Sequence, residues 1–437
     1  MDYAQRDALQ FIEDNDVKFV RLFFCDIFGV PKSVAIMASR MAHAFEYGAG
    51  FDVSAVEGFM NIEESDLLLH PDPKTLTVLP WRPSTGRVAR MYCDIRYPDG
   101  SPFAGDGRHL LRQTLKELQQ LGITCRMGTE CEFYLFELDE KGEPTLVPQD
   151  TAGYLDIAPL DKGENVRREV CLALDEMGLF PEGSHHEKGP GQNEIWCRSA
   201  LADQCADDFI TYKTVVRTIA AQNGLYASFM PKPFKEKSGT GLHINISLYN
   251  GEENLFAGGV ENETANAFMA GVLDHIAEIT FFLNTTTNSY HRFGSFEAPK
   301  YISWAVGNRA QLLRVPSSQS SNSRVELRSP DPLCNPYLAF TLLLRAGMKG
   351  IQKGARLGAP ANFDFSGVDP AKLANYPTLP QTLGQAIEAA ANSLFVQRSL
   401  PPHIVEKIIA NKQYEWESYL HAQDKDQFEH MQYFQRL

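Results

Sequence analysis

The sequence predicts an α+β protein of two unequal domains, and three observations predict it. Short runs at 128–136, 193–198, 241–248 and 323–328 alternate polar and apolar residues, as strands with one polar face do. Longer runs with helical spacing, at about 164–178, 200–223, 263–283 and 335–352, fall between them. A turn-rich stretch, Pro98-Asp99-Gly100-Ser101-Pro102, separates a smaller domain, 1–100, from a larger one, 101–437.

Within the smaller domain, short helices alternate with β-rich runs. Val17–Asp26 reads as a strand that Gly29-Val30-Pro31 turns, and Val88–Ile95 reads as another. The larger domain opens with a helix from Gly107 to about Leu121, with leucines at 110, 111, 115 and 118, which Gly122 ends. The alternating strands and helices follow, with no internal repeat. The stretch from about 379 to 437 reads as helical, broken at Pro401-Pro402. Its last residues, Met431 to Leu437, are rich in apolar and aromatic groups and suit docking either on another subunit or back onto their own domain.

Composition narrows the class of function. The chain has 437 residues, 43% hydrophobic and 22% charged, as in an ordinary globular protein with ample core. Against 41 Lys and Arg stand 55 Asp and Glu, a net charge of −14, which argues against nucleic acid as a general partner. The eight cysteines form no CxxC pair and read as reduced core thiols. No basic and apolar leader opens the chain, and no apolar stretch reads as a membrane span. The expected location is the cytoplasm, with no membrane partner.

The chemistry lies on the polar faces. Glu130, Glu132, Glu187, Glu194, His243 and Glu326 each sit in a short run that alternates like a strand. Glu130 and Glu132 are two apart and point to one face. In Arg324-Val325-Glu326-Leu327-Arg328, three charged side chains share one face. Buried charges persist only when paired or bound to metal. Five carboxylates and one imidazole suit hard divalent ions such as Mg2+ or Mn2+. For any single pair, an ordinary ion pair with Arg292, Arg309, Arg314, Arg324 or Arg328 is the simpler reading. The joint pattern suits phosphoryl transfer, where metals bridge phosphate oxygens and guanidinium groups neutralise charge. The glycine-containing loop Lys235–Gly241, before His243, lets backbone N–H groups approach an anion, and it is not a Walker A loop. His185-His186-Glu187 lacks zinc-protease spacing, and both histidines read as structural.

These residues lie in ordered motifs. They include Gly128-Thr129-Glu130-Cys131-Glu132-Phe133, His185-His186-Glu187 with Gln192-Asn193-Glu194, Gly239-Thr240-Gly241-Leu242-His243, Asn288 to Arg292, and Arg324 to Pro332 running into Asn335-Pro336-Tyr337. Along nearly its whole length the chain resembles the bacterial type I glutamine synthetases. The resemblance implies an N-terminal β-grasp domain and a C-terminal domain whose curved antiparallel sheet forms a funnel-shaped site. It implies two stacked hexameric rings, with each site shared between neighbouring subunits, and ATP and glutamate entering from opposite ends.

By matching position, Glu132, Glu187 and Glu194 are implied to hold the metal nearer glutamate, and Glu130, His243 and Glu326 the metal at the ATP phosphates. Ser238, Gly239, Arg292 and Arg328 are implied to bind glutamate. Glu182, Asn245, Ser247, Arg309, Arg314 and Arg324 are implied to bind ATP. Asp52 of an adjacent subunit, with Tyr154, Glu187 and Glu297, is implied to take ammonium. Asp52, Glu297 and Arg309 are the implied catalytic groups in a two-step reaction through γ-glutamyl phosphate.

The chain also departs from the family pattern. Ser238 stands for an asparagine, Asn245 for a second histidine near ATP, and Ala55 for a serine near the ammonium site. The loop between Arg292 and Glu297 is one residue short. Asn362-Phe363-Asp364 occupies the region of a modifiable tyrosine, and Asn61 stands where one branch carries a feedback arginine. An ATP-dependent glutamate–ammonia ligase is therefore expected, ahead of a γ-glutamyl ligase for an organic amine and of a catalytically weak homologue that senses glutamine or glutamate.

Overall fold

The computed structural model describes residues 1–59, 66–317, 323–365 and 367–434, so Asn61 lies outside the described residues. The N-terminal part begins with helix α1 (Tyr3–Asp14), capped at its start by the Asp2 carboxylate and Gln5 amide. Strands β1 (Val17–Cys25) and β2 (Pro31–Met37), helix α2 (Met41–Tyr47), and strands β3 (Ala49–Asp52), β4 (Asp66–Pro71), β5 (Thr77–Val78) and β6 (Arg87–Arg96) follow. They form a sheet of order β2-β1-β6-β4-β3, with β5 beside β6. Only β1 and β6 run parallel, and they are neighbours. A hairpin and its later parallel partner at the centre of a mixed sheet give the β-grasp arrangement.

Helix α3 (Gly107–Gln120) starts where the Asp106 carboxylate accepts the N–H groups of Arg108 and His109. Next come β7 (Thr124–Leu138), β8 (Pro144–Pro148), α4 (Glu164–Glu176), β9 (Pro181–His186), β10 (Gln192–Cys197), β11 (Ala200–Leu201), α5 (Ala202–Gln222), β12 (Leu225–Ser228), β13 (Leu242–Asn250) and β14 (Glu253–Asn254). Then follow α6 (Glu263–Leu283), β15 (Trp304–Val306), β16 (Leu313–Val315), β17 (Val325–Leu327) and α7 (Pro336–Lys353). Helices α8 (Pro370–Leu373), α9 (Leu383–Ala391), α10 (Leu394–Ser399), α11 (Pro402–His421) and α12 (Lys425–Glu429) complete the order.

The large sheet runs β15-β16-β17-β13-β7-β10-β9, with β8, β11 and β12 also on β7 and β14 on β13. One face is apolar. Cys131, Phe133, Ile244, Ile246 and Leu248 are buried, and the Tyr212 hydroxyl of α5 reaches the Cys131 carbonyl at 3.0 Å. The opposite face carries Glu130, Glu132, His243, Asn245 and Ser247.

Helix α6 corrects one expectation. By length and composition it alone, among the described residues, is long and apolar enough to cross a membrane, and 67% of that window is buried inside the protein. It packs on α7 at a glycine crossing, where Gly271 and Gly350 approach so closely that a Cβ on Gly350 would lie 2.1 Å from the Ala267 carbonyl. All eight cysteines are free thiols, and none is exposed. The C-terminal tail folds back onto its own domain. Tyr433 and Phe434 are buried with Tyr134, Phe136 and Met230. The buried Glu429 carboxylate accepts from the Thr287 hydroxyl and the Asn288 amide, each at 2.8 Å.

A buried ion cluster joins the two sheets. Arg108 on α3 donates to Asp72 beyond β4 at 2.9 Å, to Asp94 on β6 at 2.8 Å and to Asp207 on α5 at 2.8 Å. Its side chain is 4% exposed. A guanidinium facing three carboxylates satisfies charges that none could hold alone in a buried setting. Arg108→Met leaves the buried Asp207 without a guanidinium, while Arg112 still pairs with Asp72 and Asp94. It is expected to cost roughly 3–5 kcal/mol of unfolding free energy, read from urea denaturation with unchanged slope.

Candidate functional site

Strand register builds the site. On β7 and β13, Glu130 lies opposite His243, and on β7 and β10, Glu132 lies opposite Glu194. On β13 and β17, Asn245 lies opposite Glu326, which puts Glu326 one diagonal step from His243. Directly opposed residues bring Cβ atoms to about 5 Å. Four adjacent strands thus aim four carboxylates and one imidazole into one hollow.

Two groups of metal-type ligands result. The ligand atoms of Glu130, His243 and Glu326 lie within 4.8 Å of one another, as do those of His185, Glu187 and Glu194. The first trio is the one read from the sequence. The second differs. His185, taken as structural, faces Glu187 with its Nε2 2.8 Å from Oε1. Glu132 stands beside this trio, with its Oε2 accepting from the Gln192 amide at 2.9 Å and the Gly241 N–H at 2.8 Å. Glu187 is not on a strand. It follows the end of β9, which corrects the alternating reading there.

Charge crowding is visible in the ionisation of these groups. Burial and the neighbouring Glu132, Glu130, Glu187 and Glu326 push Glu194 well above the usual carboxylate range. Burial, helped by the Glu187 charge, raises the Glu132 carboxyl despite the pull of His243, the Gly241 N–H and Arg292. Burial opposes the charged form of Glu130 too, but the His243 ring and Asn245 amide outweigh it and hold the carboxyl at about 2. Burial likewise opposes the charge on Glu326, yet His243, Arg328 and Arg314 keep its carboxyl low. Carboxylates crowded to this degree are the donor set that a divalent cation relieves.

Arginines surround the first trio. Arg314 and Arg328 both donate to Glu326, which is 1% exposed. Arg324 Nε donates to Asn245 at 2.8 Å, and Asn245 donates to Glu130 at 2.9 Å. Arg314 was expected to face phosphate. It is turned onto Glu326 and is not among the residues lining the cavity.

The cavity has two compartments. The larger, about 880 Å³, is lined by Glu182, Trp196, Asn245, Ser247 and Arg324. The smaller, about 380 Å³, is lined by Ser238, Gly239, Arg292, Glu297 and Arg328. Glu130, Tyr154, His185, Glu194 and Arg309 line both, so the compartments meet at the carboxylates. Arg292 is 3% exposed and donates to the Ser329 carbonyl at 3.0 Å. A Cβ on Gly239 would lie 2.6 Å from both Arg292 Cγ and the Pro231 carbonyl, so only glycine fits there. Ser238 is fixed from behind, since its carbonyl accepts from the Tyr134 hydroxyl at 2.6 Å and its own hydroxyl donates to Gln192.

Gln192, Lys188 and Phe296 are among the lining residues that the sequence reading did not single out. Gln192 shares strand parity with Glu194, and that signal was available. Lys188 and Phe296 sit in loops, where no periodicity reports on direction. Asp52 is exposed at the end of β3, accepts the Ser54 N–H at 2.8 Å, and lines neither compartment. Hydrogen bonding from Ser54 keeps its carboxyl below its ordinary value.

Known proteins share this architecture. Residues 16–98 match the model of the glutamine synthetase beta-Grasp domain, and residues 104–431 match that of the glutamine synthetase catalytic domain. A glutamine synthetase of Methanosarcina mazei is 42% identical over 423 residues, covering 95% of each chain. The solved structure of a GmaS/ADP complex superposes with a TM-score of 0.87 at 30% identity, covering 96% of this chain and 97% of that one. A Plasmodium falciparum glutamine synthetase shares the fold, with a TM-score of 0.85 at 21% identity over 98% of each chain. A β-grasp sheet, a curved sheet carrying two ligand trios, and family matches that together span most of the sequence lead to one conclusion: the chain belongs to the glutamine synthetase family.

Proposed function

We propose that this protein is an ATP-dependent ligase that forms glutamine from glutamate and ammonia through γ-glutamyl phosphate. The observation that carries the reading is the junction of the two compartments, lined by Glu130, Glu194 and Arg309, with His243 and Glu326 gathered beside Glu130. ATP takes the larger compartment and glutamate the smaller, so the γ-phosphate and the γ-carboxylate meet at that junction. The ligand atoms of the trio are close enough to share one ion, and their hard oxygen donors fit Mg2+ or Mn2+. Glu130, His243 and Glu326 would hold one ion, and Glu132, Glu187 and Glu194 would hold another. When bound, such ions neutralise phosphate charge and polarise the transferring phosphoryl group.

The chain's own residues do the rest. Arg292, Arg328, Ser238 and the Gly239 backbone hold glutamate. Glu182, Asn245, Ser247 and Arg324 orient the nucleotide. Arg309 lines both compartments and stabilises charge on the phosphoryl group in transit. Arg314 acts one step removed, by holding Glu326 in place. Tyr154, Glu187 and Glu297, with Asp52 from a neighbouring subunit, form an anionic and aromatic pocket for ammonium. Asp52 takes the proton that ammonium must lose before it attacks. Glu297 covers the acyl phosphate and keeps water away. The protein acts as a cytoplasmic homo-oligomer of stacked hexamers.

A second reading has a specific observation behind it. Phe296 is 50% exposed in the wall of the smaller compartment and offers apolar contact to the carbon chain of an organic amine. Phosphate release with ATP, Mg2+, glutamate and a panel of amines separates the two. Ammonium is expected to give the highest kcat/KM. Alkylamines that match or exceed ammonium would replace the first reading with the second.

A further inference from the structure

We propose that Lys188 is a tethered cation that competes with ammonium for Glu297 and so sets how tightly the acceptor is held. The inference rests on the ammonium pocket assigned above. Lys188 Nζ lies 2.7 Å from Glu297 Oε1, and 6.0 Å from the centroid of the Tyr154 ring. Its backbone N–H donates to Glu187 Oε2 at 3.0 Å. The side chain lines the smaller compartment together with all three of those residues. The ε-ammonium therefore stands on Glu297 and faces the Tyr154 ring, while the backbone of the same residue holds Glu187.

The chemistry of competition is direct. A lysine ammonium and a free ammonium ion are both compact, strongly hydrated cations, and the same carboxylate and ring face attract both. With Lys188 in place, the pocket carries one positive charge that an incoming cation has to displace or tolerate. The pair is 40% and 46% exposed at its two side chains, so it is weak and exchanges readily. A weak pair of this kind tunes affinity without blocking entry.

The same contact holds a strained loop. Phe296 has φ 49° and Glu297 φ 67°, two successive non-glycine residues in the left-handed region. Side chains add to the backbone bonds that close the loop: Lys188 on Glu297, Lys232 Nζ 4.7 Å from the centroid of the Phe296 ring, and the Ser295 hydroxyl on the Arg292 carbonyl at 3.0 Å. Lys188 thus stands in for the acceptor before the acceptor arrives. It keeps the Glu297 carboxylate aimed at the pocket and yields its place when ammonium binds.

Steady-state kinetics of the intact oligomer, with ammonium and glutamate varied separately, tests this on Lys188→Met, Lys188→Gln and Lys188→Arg. KM for ammonium is expected to fall roughly three- to tenfold in the Met and Gln variants, from removal of one nearby partly screened charge. KM for glutamate should move by less than about twofold, because the lost charge faces the acceptor and not the glutamate clamp. The Arg variant keeps the charge and should stay near the native KM for ammonium. An unchanged or raised KM for ammonium in both neutral variants overturns the proposal. So does a shift in KM for glutamate as large as that for ammonium. Absence of glutamine formation by the native protein would instead count against the ligase reading, whatever Lys188 does.

Discussion

Glu130→Ala is expected to lower kcat/KM by at least about a thousandfold, because it removes a ligand whose absence no neighbour can make good. Glu130 is the only carboxylate of its trio that comes from β7, and its partners besides His243 are the neutral Asn245 and the partly exposed Arg324. Its loss therefore leaves no buried cation stranded, and the variant should fold. Thermal melting with and without Mn2+ distinguishes lost chemistry from lost structure. The native protein should gain stability with the ion, about 2.7 kcal/mol when the ion is at a hundred times its dissociation constant. Glu130→Ala should melt near the native temperature without the ion and gain much less from it. Full activity, or an undiminished response to Mn2+, would remove Glu130 from the metal site. Glu326→Ala is a poorer test, because it also strands Arg314 and Arg328 against an empty position.

The second large effect concerns Asp52. In a single chain Tyr154, Glu187 and Glu297 line the smaller compartment, where ammonium is proposed to bind, but Asp52 does not; it is exposed at the end of β3 with its carboxylate fixed by Ser54. An exposed carboxylate held ionised on the N-terminal sheet is available to a neighbouring subunit. Asp52→Ala should lower kcat by at least about a hundredfold, as loss of a general base does. Co-assembly of Asp52→Ala chains with Glu130→Ala chains should then restore activity to about a quarter of native, since each site draws Asp52 from one chain and Glu130 from the next. Mixed rings, verified by differently tagged chains, that remain inactive would contradict a site shared between subunits.

How far the sequence was legible depended on distance along the chain. The alternation of Glu130 and Glu132 with Cys131 and Phe133 is local, so strand and face could be read directly. The helix at 263–283 was read to its end residues, because its apolar stripe and its Asn262 cap are local too. Register is not local. That Glu130 faces His243, 113 positions further along the chain, follows from the pairing of β7 with β13, which no window of sequence contains. The three-residue strands β15 and β16 were missed for another reason: they lack the charged alternation of Arg324, Glu326 and Arg328 that marked the equally short β17. His185 was set aside because its spacing fits no zinc motif, yet pairing of β9 with β10 carries it to Glu194. Arg314 was legible as a cation but not as the partner of Glu326, since that contact comes from a strand pair formed only in the folded sheet. The short way in which Lys188 meets Glu297 joins two loops, and loops carry no periodic signal at all.

The fifteen-residue strand β7 has a consequence for how the molecule breathes. It holds five other strands by hydrogen bonds, from β8 to β13, and carries two of the six acidic or imidazole groups of the site. Its amide protons therefore cannot reach solvent by fraying at an edge. They should be the last in the protein to exchange with deuterium, at rates set by opening of the entire sheet. Opening of the larger compartment without the smaller is disfavoured, because residues of β7 line both. Occupancy of either compartment is thus expected to slow exchange along the whole length of β7.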